Sequence, residues 1–282
     1  LLDGGAGVNL ADYSASSNGV TVNLATGVGL GGDAAGDTLI GIENLIGSGS
    51  ADSLTGDGDA NALYGAAGAD TLIAGVGNDS LYGGSENDVL QGGAGADVLD
   101  GGAGNDTADY SSSAAAVAVS LASGTGSGGD AAGDTLTGIE TLIGSGFDDT
   151  LTGDSNANVL SGGDGHDLIY GGAGVDSLYG GAGSDLLYGG DGSDLLDGGG
   201  VGNDTLYGDA GNDSLSGGDG NDLMDGGADN DVLDAGTGND SAFGGSGQDT
   251  LYGGAGNDII YGSHEGDDNI SGGLGDDEIY GQ

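Results

Sequence analysis

The chain has 282 residues, with 47 Asp plus Glu, no Lys or Arg, 72 Gly, no Pro, no Cys and 5% aromatic residues. A charge of −47 excludes direct binding to nucleic-acid phosphates or anionic membrane surfaces, because no basic side chain can neutralise them. The missing Cys excludes disulfides and thiolate metal sites, and so little bulky apolar material excludes an ordinary globular core.

Low apolar content combined with high net charge is the composition of a disordered chain, so compactness must come from an external cation. The metal-free chain is therefore expected to be largely unfolded. Glycine-rich sequence could also indicate collagen, but the absence of Pro and a period of nine exclude it. No apolar stretch is long enough to span a membrane, and no basic leader precedes an apolar run, so no direct membrane insertion is expected. The chain begins in mid-repeat, which suggests a segment of something longer.

In chain order, a degenerate nine-residue unit, Gly4 to Asp12, comes first. An irregular segment, 13–46, follows, and then an array of nonapeptides of the form GGxGxDxLx over 47–109. A second irregular segment, 110–143, leads to a second array over 144–282. The irregular segments match at a constant offset of 97, with Gly31 to Leu39 repeated letter for letter at Gly128 to Leu136. We expect two modules, 1–109 and 110–282, on one continuous solenoid. Within the irregular segments, Val20, Val22 and Leu24, and likewise Val117, Val119 and Leu121, alternate with period two, which predicts a short half-buried strand. No segment predicts a helix.

Each nonapeptide has two halves. Glycines at positions 1, 2 and 4 let the backbone turn sharply and expose carbonyl oxygens, and the aspartate at position 6 adds a carboxylate. Carbonyls plus carboxylate form the hard oxygen set that calcium takes, six to eight at a time. Positions 7 to 9 predict a three-residue strand with one inward side chain. Two units closing one coil bring equivalent turns together every 18 residues, at a strand spacing of about 4.8 Å. The fold class expected is all-β, a parallel β-solenoid.

Stacking in this way lines the position-6 carboxylates into columns. The predicted metal ligands are Asp52, Asp70, Asp79, Asp88, Asp97 and Asp106 in the first array. In the second they are Asp149, then Asp167, Asp185, Asp204, Asp222, Asp240, Asp258 and Asp277, lined up along one edge, and Asp176, Asp194, Asp213, Asp231, Asp249 and Asp268 along the other. Roughly twenty Ca2+ ions would offset most of the acidic charge. Asn9, Asn61 and Asn158 replace the carboxylate and should bind weakly or not at all. Glu86, Asn156 and Asp229 stand where the third glycine belongs, with Glu86 expected to distort its turn. One-residue insertions within Gly198 to Tyr207 and Gly262 to Ser271 should form bulges.

Outward positions differ between faces. In the second array Tyr170, Tyr188, Tyr207, Phe243, Tyr261 and Tyr280 recur on alternate units, interrupted by Asp225, with Leu168, Leu186, Leu223 and Ile259 two residues before some of them. A cross-strand aromatic ladder and a surface for self-association or another partner both account for this stripe. Catalysis is not expected, so the chain reads as not an enzyme. His166 and His264 are the only histidines, neither sits in a metalloprotease motif, and without Lys or Arg no side-chain phosphate or oxyanion clamp can form.

These repeats resemble the RTX, or haemolysin-type calcium-binding, repeat proteins over essentially the whole chain. The resemblance implies a right-handed parallel β-roll, bacterial origin, export by a type I system and folding on extracellular calcium. It places the chain outside the cell or at the cell surface. The function expected is a structural or adhesive module of a secreted surface protein, of the filament, sheath or surface-layer kind. The alternative is the calcium-triggered folding module of an exported enzyme or toxin, whose catalytic domain lies outside this chain.

Overall fold

The structure is a computed structural model that describes residues 1–263 and 266–281. Its strands are short and almost all parallel, and the helical turns among the described residues are two 3-10 turns, Gly32–Ala34 and Gly129–Ala131. Each array strand pairs with the strands two units away: Leu81 lies beside Leu63 and Leu99, and Leu187 beside Ile169 and Leu206. Two nonapeptides therefore close one coil, and alternate units build separate sheets. The fold is a parallel β-solenoid. No helix among the described residues is long and apolar enough to cross a membrane.

By its internal contacts the chain divides into two compact units, Leu1–Ile143 and Gly144–Gln282. In the first, one sheet runs through Leu10–Asp12, Asn44–Ile46, Ala62–Ala67, Ser80–Ser85, Val98–Ala103 and Thr135–Thr137. The other runs through Thr21–Asn23, Ser53–Thr55, Thr71–Val76, Val89–Ala94, Thr107–Asp109 and Thr141–Ile143. The second unit repeats the pattern from Thr150–Thr152 and Val159–Asp164 to Glu278–Gly281 and Asn269–Leu274.

Array strands are mostly six residues long, as in Ala62–Ala67 and Val232–Thr237, and not the three that the sequence predicts. They run on through the first glycines of the next unit, because a glycine at positive φ kinks the strand without breaking its pairing. Gly84, at φ 118°, still pairs with Ala66 and Gly102. Positions 8 and 1 face inward. The core is thus a single file of Leu, Ile, Met or Ala from position 8, fully buried from Leu54 to Leu99 and from Leu151 to Ile260. Burying one such leucine stabilises by about 1.5–3 kcal/mol, repeated at every half-coil.

In both irregular segments the alternating valines are buried, and their strands Thr21–Asn23 and Ala118–Ser120 turn back on themselves in antiparallel hairpins with Val28–Leu30 and Thr125–Ser127. The insertion after Gly198 is taken up at Gly200 and exposed Val201, after which pairing resumes as Leu186 with Thr205. At the second insertion the pairing register shifts between Tyr261 and Ser263; His264 lies outside the described residues. Glu86 has φ 73° where Gly183, at the same repeat position, has 131°, so its turn does depart from the rest. Its Oε2 compensates by accepting the Gly68 N–H at 2.6 Å. Asp229 also enters the left-handed region, whereas Asn156 does not and instead donates its amide to Asp154.

Candidate metal centre

The position-6 side chains stand in columns along the turns, each linked to the next by one hydrogen bond. The N–H of Asp149 donates to Asp167 Oδ1 at 2.8 Å, that of Asp167 to Asp185 at 2.8 Å, and the series continues through Asp204, Asp222, Asp240 and Asp258 to Asp277. A second column runs from Asn158 through Asp176, Asp194, Asp213, Asp231 and Asp249 to Asp268. In the first unit Asp52, Asp70, Asp88 and Asp106 form one such series, and Asn61, Asp79 and Asp97 the other. One oxygen of each carboxylate therefore ties coil to coil.

The other oxygen is left over. Fifteen aspartates, namely Asp70, Asp79, Asp88, Asp97, Asp106, Asp167, Asp176, Asp185, Asp194, Asp213, Asp222, Asp231, Asp240, Asp249 and Asp258, bury an Oδ2 that has no hydrogen-bond partner. A buried carboxylate oxygen without a partner is costly, and a hard cation is one partner such an oxygen can take. Burial, reinforced by neighbouring like charges, pushes Asp70, Asp97, Asp167 and Asp231 up to about 7. Asp88, Asp176, Asp213 and Asp240 rise to about 6 for the same reasons.

Backbone oxygens crowd the same spot. A Cβ on Gly65 would lie 2.3 Å from Asp70 Oδ2 and 2.6 Å from the Gly83 carbonyl oxygen, and one on Gly180 would lie 2.5 Å from Asp185 Oδ2 and 2.6 Å from the Gly198 carbonyl. The position-1 glycine is required by that approach. Carboxylate and carbonyl thus converge as the oxygen set calcium accepts. Among the described residues no three acidic or imidazole side chains come together, so any ion here is held largely by main-chain oxygens.

Position 2 decides which carboxylates keep a free oxygen. Where it has positive φ, as in Gly84, Gly181 and even Ala66 and Asp209, Oδ2 of the following aspartate is left buried without a partner, with Asp204, after Gly199, the exception among the buried column aspartates. Where it does not, its N–H donates to the position-6 side chain: Ser48 to Asp52, Ser145 to Asp149, Asp57 to Asn61 and Asp154 to Asn158. Serine hydroxyls of Ser48 and Ser145 add further bonds to Asp52 and Asp149. The Asn61 amide donates to the Glu43 carbonyl at 2.8 Å, a bond that a carboxylate at this position could not make. Each array therefore opens with a coil whose polar groups the protein satisfies by itself. Asp52 and Asp149 differ in this from the other aspartates predicted as ligands, whereas Asp268 and Asp277 end their columns half-buried.

Sequence reasoning missed the acids that prolong the first unit's columns through the irregular segment. Asp97 N–H donates to Asp134 Oδ1 at 2.8 Å, and Asp106 N–H to Glu140 Oε2 at 2.9 Å. Asp134 Oδ2 accepts the buried Tyr110 hydroxyl at 3.0 Å, so a protein donor closes that column position. The signal was present in the shared nonapeptide Gly128 to Leu136. His166 belongs to the ladder one residue before Asp167, its Nδ1 accepting the Ser184 N–H at 2.7 Å.

On the outer face of the second unit Tyr170, Tyr188 and Tyr207 stack at 5.0 Å between successive ring centres, and Phe243, Tyr261 and Tyr280 stack at 5.0 and 4.5 Å. Asp225 separates the two runs. Tyr64 and Tyr82 form a shorter stack in the first unit.

No curated protein matches the chain in a sequence search. The family described as the RTX calcium-binding nonapeptide repeat, taken in blocks of four copies, matches residues 37–72, 73–108, 134–169, 170–200, 198–233, 234–263 and 264–282. With its carboxylate columns and glycine-lined turns so covered, the chain belongs to the RTX calcium-binding repeat family.

Proposed function

We propose that the chain is a calcium-dependent structural or adhesive module of a secreted bacterial surface protein, folded by extracellular calcium. The observation that carries the calcium dependence is the row of fifteen buried Oδ2 atoms without a partner in a chain that has no Lys or Arg. Those fifteen aspartates are the ligands we assign, fewer than the twenty the repeat suggests: Asp52 and Asp149 are closed by N–H groups of their own coil, Asp268 and Asp277 are only half-buried, and Asp204 has no such orphaned oxygen. When bound, calcium supplies the positive charge that the columns lack. Extracellular calcium suits sites that are individually weak, since cytosolic calcium would leave such sites empty.

Support for a structural or adhesive role comes from the stacked aromatic face in the second unit, two runs of three rings on either side of Asp225. The missing basic residues also deny trypsin-like proteases any cleavage site, a useful property for material left outside a cell. The test is circular dichroism with chelator and then with millimolar calcium, alongside calorimetric counting of bound ions. Calcium should raise the β signal sharply and titrate near fifteen ions; a full β signal in chelator would sink the reading. For the surface role, chelator should release the protein from producing cells.

A further inference from the structure

The aromatic stripe of the second unit is broken once. Strand pairing sets Asp225 beside Tyr207 on one side and Phe243 on the other, all three half-buried at the same outward repeat position. Tyr207 stacks on Tyr188 with ring centres 5.0 Å apart and planes 11° from parallel, and Phe243 stacks on Tyr261 at 5.0 Å and 2°. Each of these two rings has one face covered by its own run. Its other face is turned towards the coil of Asp225.

The result is a slot one rung deep. Two strand spacings set the facing rings about 10 Å apart, so a flat group midway would lie about 5 Å from each, the distance at which the rings themselves stack. The Asp225 side chain is too short to fill that space as a ring would, and its charge meets the negative face of both π systems. Burial first, then the charge of Asp209, raises the Asp225 carboxyl, with the Gly227 N–H opposing them. Asp209 is raised in turn by burial and by Asp191. Negative groups therefore crowd this rung, and the chain has no Lys or Arg to answer them.

Where other aspartates of this repeat position lie beside a ring, they have it on one side only. Asp100 pairs with Tyr82 and Thr137, Asp197 with Tyr179 and Ser216, and Asp234 with Ser216 and Tyr252. Two walls around a carboxylate distinguish Asp225 from all three.

We propose that the slot at Asp225 binds a guanidinium group, the side-chain tip of an arginine on another protein. A guanidinium is planar, so its two faces can lie against Tyr207 and Phe243, within the cation–π limit of about 6 Å from both ring centres. Its N–H edge then meets the Asp225 carboxylate in a charge-assisted pair. An ammonium brings the charge without the flat faces or the fork of donors. A second copy of this chain cannot fill the slot, because it has no Arg to offer. Free arginine carries a carboxylate of its own into an acidic surface, which favours arginine within a polypeptide. The inference gives the aromatic face of the surface reading a partner, and it rests on the calcium reading only in that the coils must be formed.

The experiment titrates the calcium-loaded chain into the blocked peptide acetyl-Gly-Arg-Gly-amide, followed by proton NMR, with circular dichroism as the check on folding. The arginine methylene signals should move upfield in the ring currents of the two walls, and the shift should saturate. The same peptide with Lys should bind several-fold more weakly, and with neutral citrulline not at all. Asp225→Asn should weaken arginine binding about tenfold, by loss of a charge-assisted hydrogen bond. Tyr207→Leu should weaken it about threefold, by loss of one wall. Asp225→Tyr, which completes the ladder, should abolish it, whereas Asp197→Asn in the other sheet should leave it unchanged. Equal binding of the lysine peptide, or binding that survives Asp225→Tyr, would reveal general attraction to an acidic surface and overturn the proposal, as would a folded chain that does not bind. If Asp225→Tyr misfolds, Asp225→Asn carries the same test. Free arginine binding as well as the peptide would overturn the protein partner. A chain that folds and binds the peptide equally well in chelator sinks the calcium reading and leaves the slot standing.

Discussion

Asp231 divides its carboxylate between two tasks. Its Oδ1 accepts the Asp213 N–H at 2.9 Å, which holds one coil to the next, and its Oδ2 is buried without a partner. Burial first, then the charges of Asp213, Asp249 and Asp229, raise this carboxyl to about 7, so the ionised form is the strained one until a cation arrives. An amide keeps an acceptor oxygen and removes the charge, as Asn61 and Asn158 do at the head of each second column. Asp231→Asn should therefore bind one ion fewer while losing less β structure in chelator than wild type. Calorimetry and circular dichroism check the two halves, and an unchanged ion count would remove Asp231 from the ligand set.

The irregular segments show what an element gains by turning its polar groups on itself. Tyr110 is fully buried and donates to Asp134 at 3.0 Å, and burial next to that carboxylate keeps its hydroxyl protonated. Tyr13 makes the same bond to Asp37 at 3.2 Å from a more open site, its hydroxyl pushed up to about 12. Removing a buried donor costs about 1–3 kcal/mol, because the acceptor left behind stays desolvated. Tyr110→Phe should lower the calcium-loaded melting temperature by several degrees and Tyr13→Phe by less, measured by thermal circular dichroism; equal effects would show that burial of the bond does not matter. The period-two valines make the strand before each hairpin legible in the sequence. The antiparallel return was not, because Val28-Gly29-Leu30 and Thr125-Gly126-Ser127 carry too few alternating residues to be told from turn. Nor was the six-residue length of the array strands, since a glycine pair reads as punctuation until its neighbour one coil away is known to pair with it. The sorting of carboxylates by position 2 was not legible in the residue types, because Asp57 and Asp154 donate their N–H there whereas Asp209 and Ala66 take positive φ and leave an oxygen free.

At the scale of the whole molecule the period of nine made the solenoid, its two-unit coil and its columns readable, because every half-coil repeats one decision about what faces inward. What the period conceals is how the charge behaves without metal. Among the column carboxyls Asp70, Asp167 and Asp231 have folded pKa values raised from 3.8 to about 7 and Asp88 to about 6, chiefly by desolvation. A raised folded value means that the folded state holds its protons more tightly, so the stability it contributes is fully present below about pH 4 and is lost as pH rises towards 7. Self-repulsion among 47 acids runs the same way, since acid also lowers the net charge. Metal-free protein should thus be more folded at pH 5 than at pH 8, the opposite of the usual carboxylate behaviour. With the proposed ligands, calcium should reverse the dependence, because it would compete with protons for the same Oδ2 atoms and bind the ionised form. The measurement is far-UV circular dichroism at both pH values, in chelator and in calcium, with ion release followed as the loaded protein is acidified. In chelator the β signal should grow on acidification, while in calcium the loaded sites should empty between pH 7 and 5. A chelated chain equally unfolded at both pH values would mean that protons cannot stand in for the cation, and that the columns need calcium for its bridging of carboxylate to carbonyl and not for charge alone.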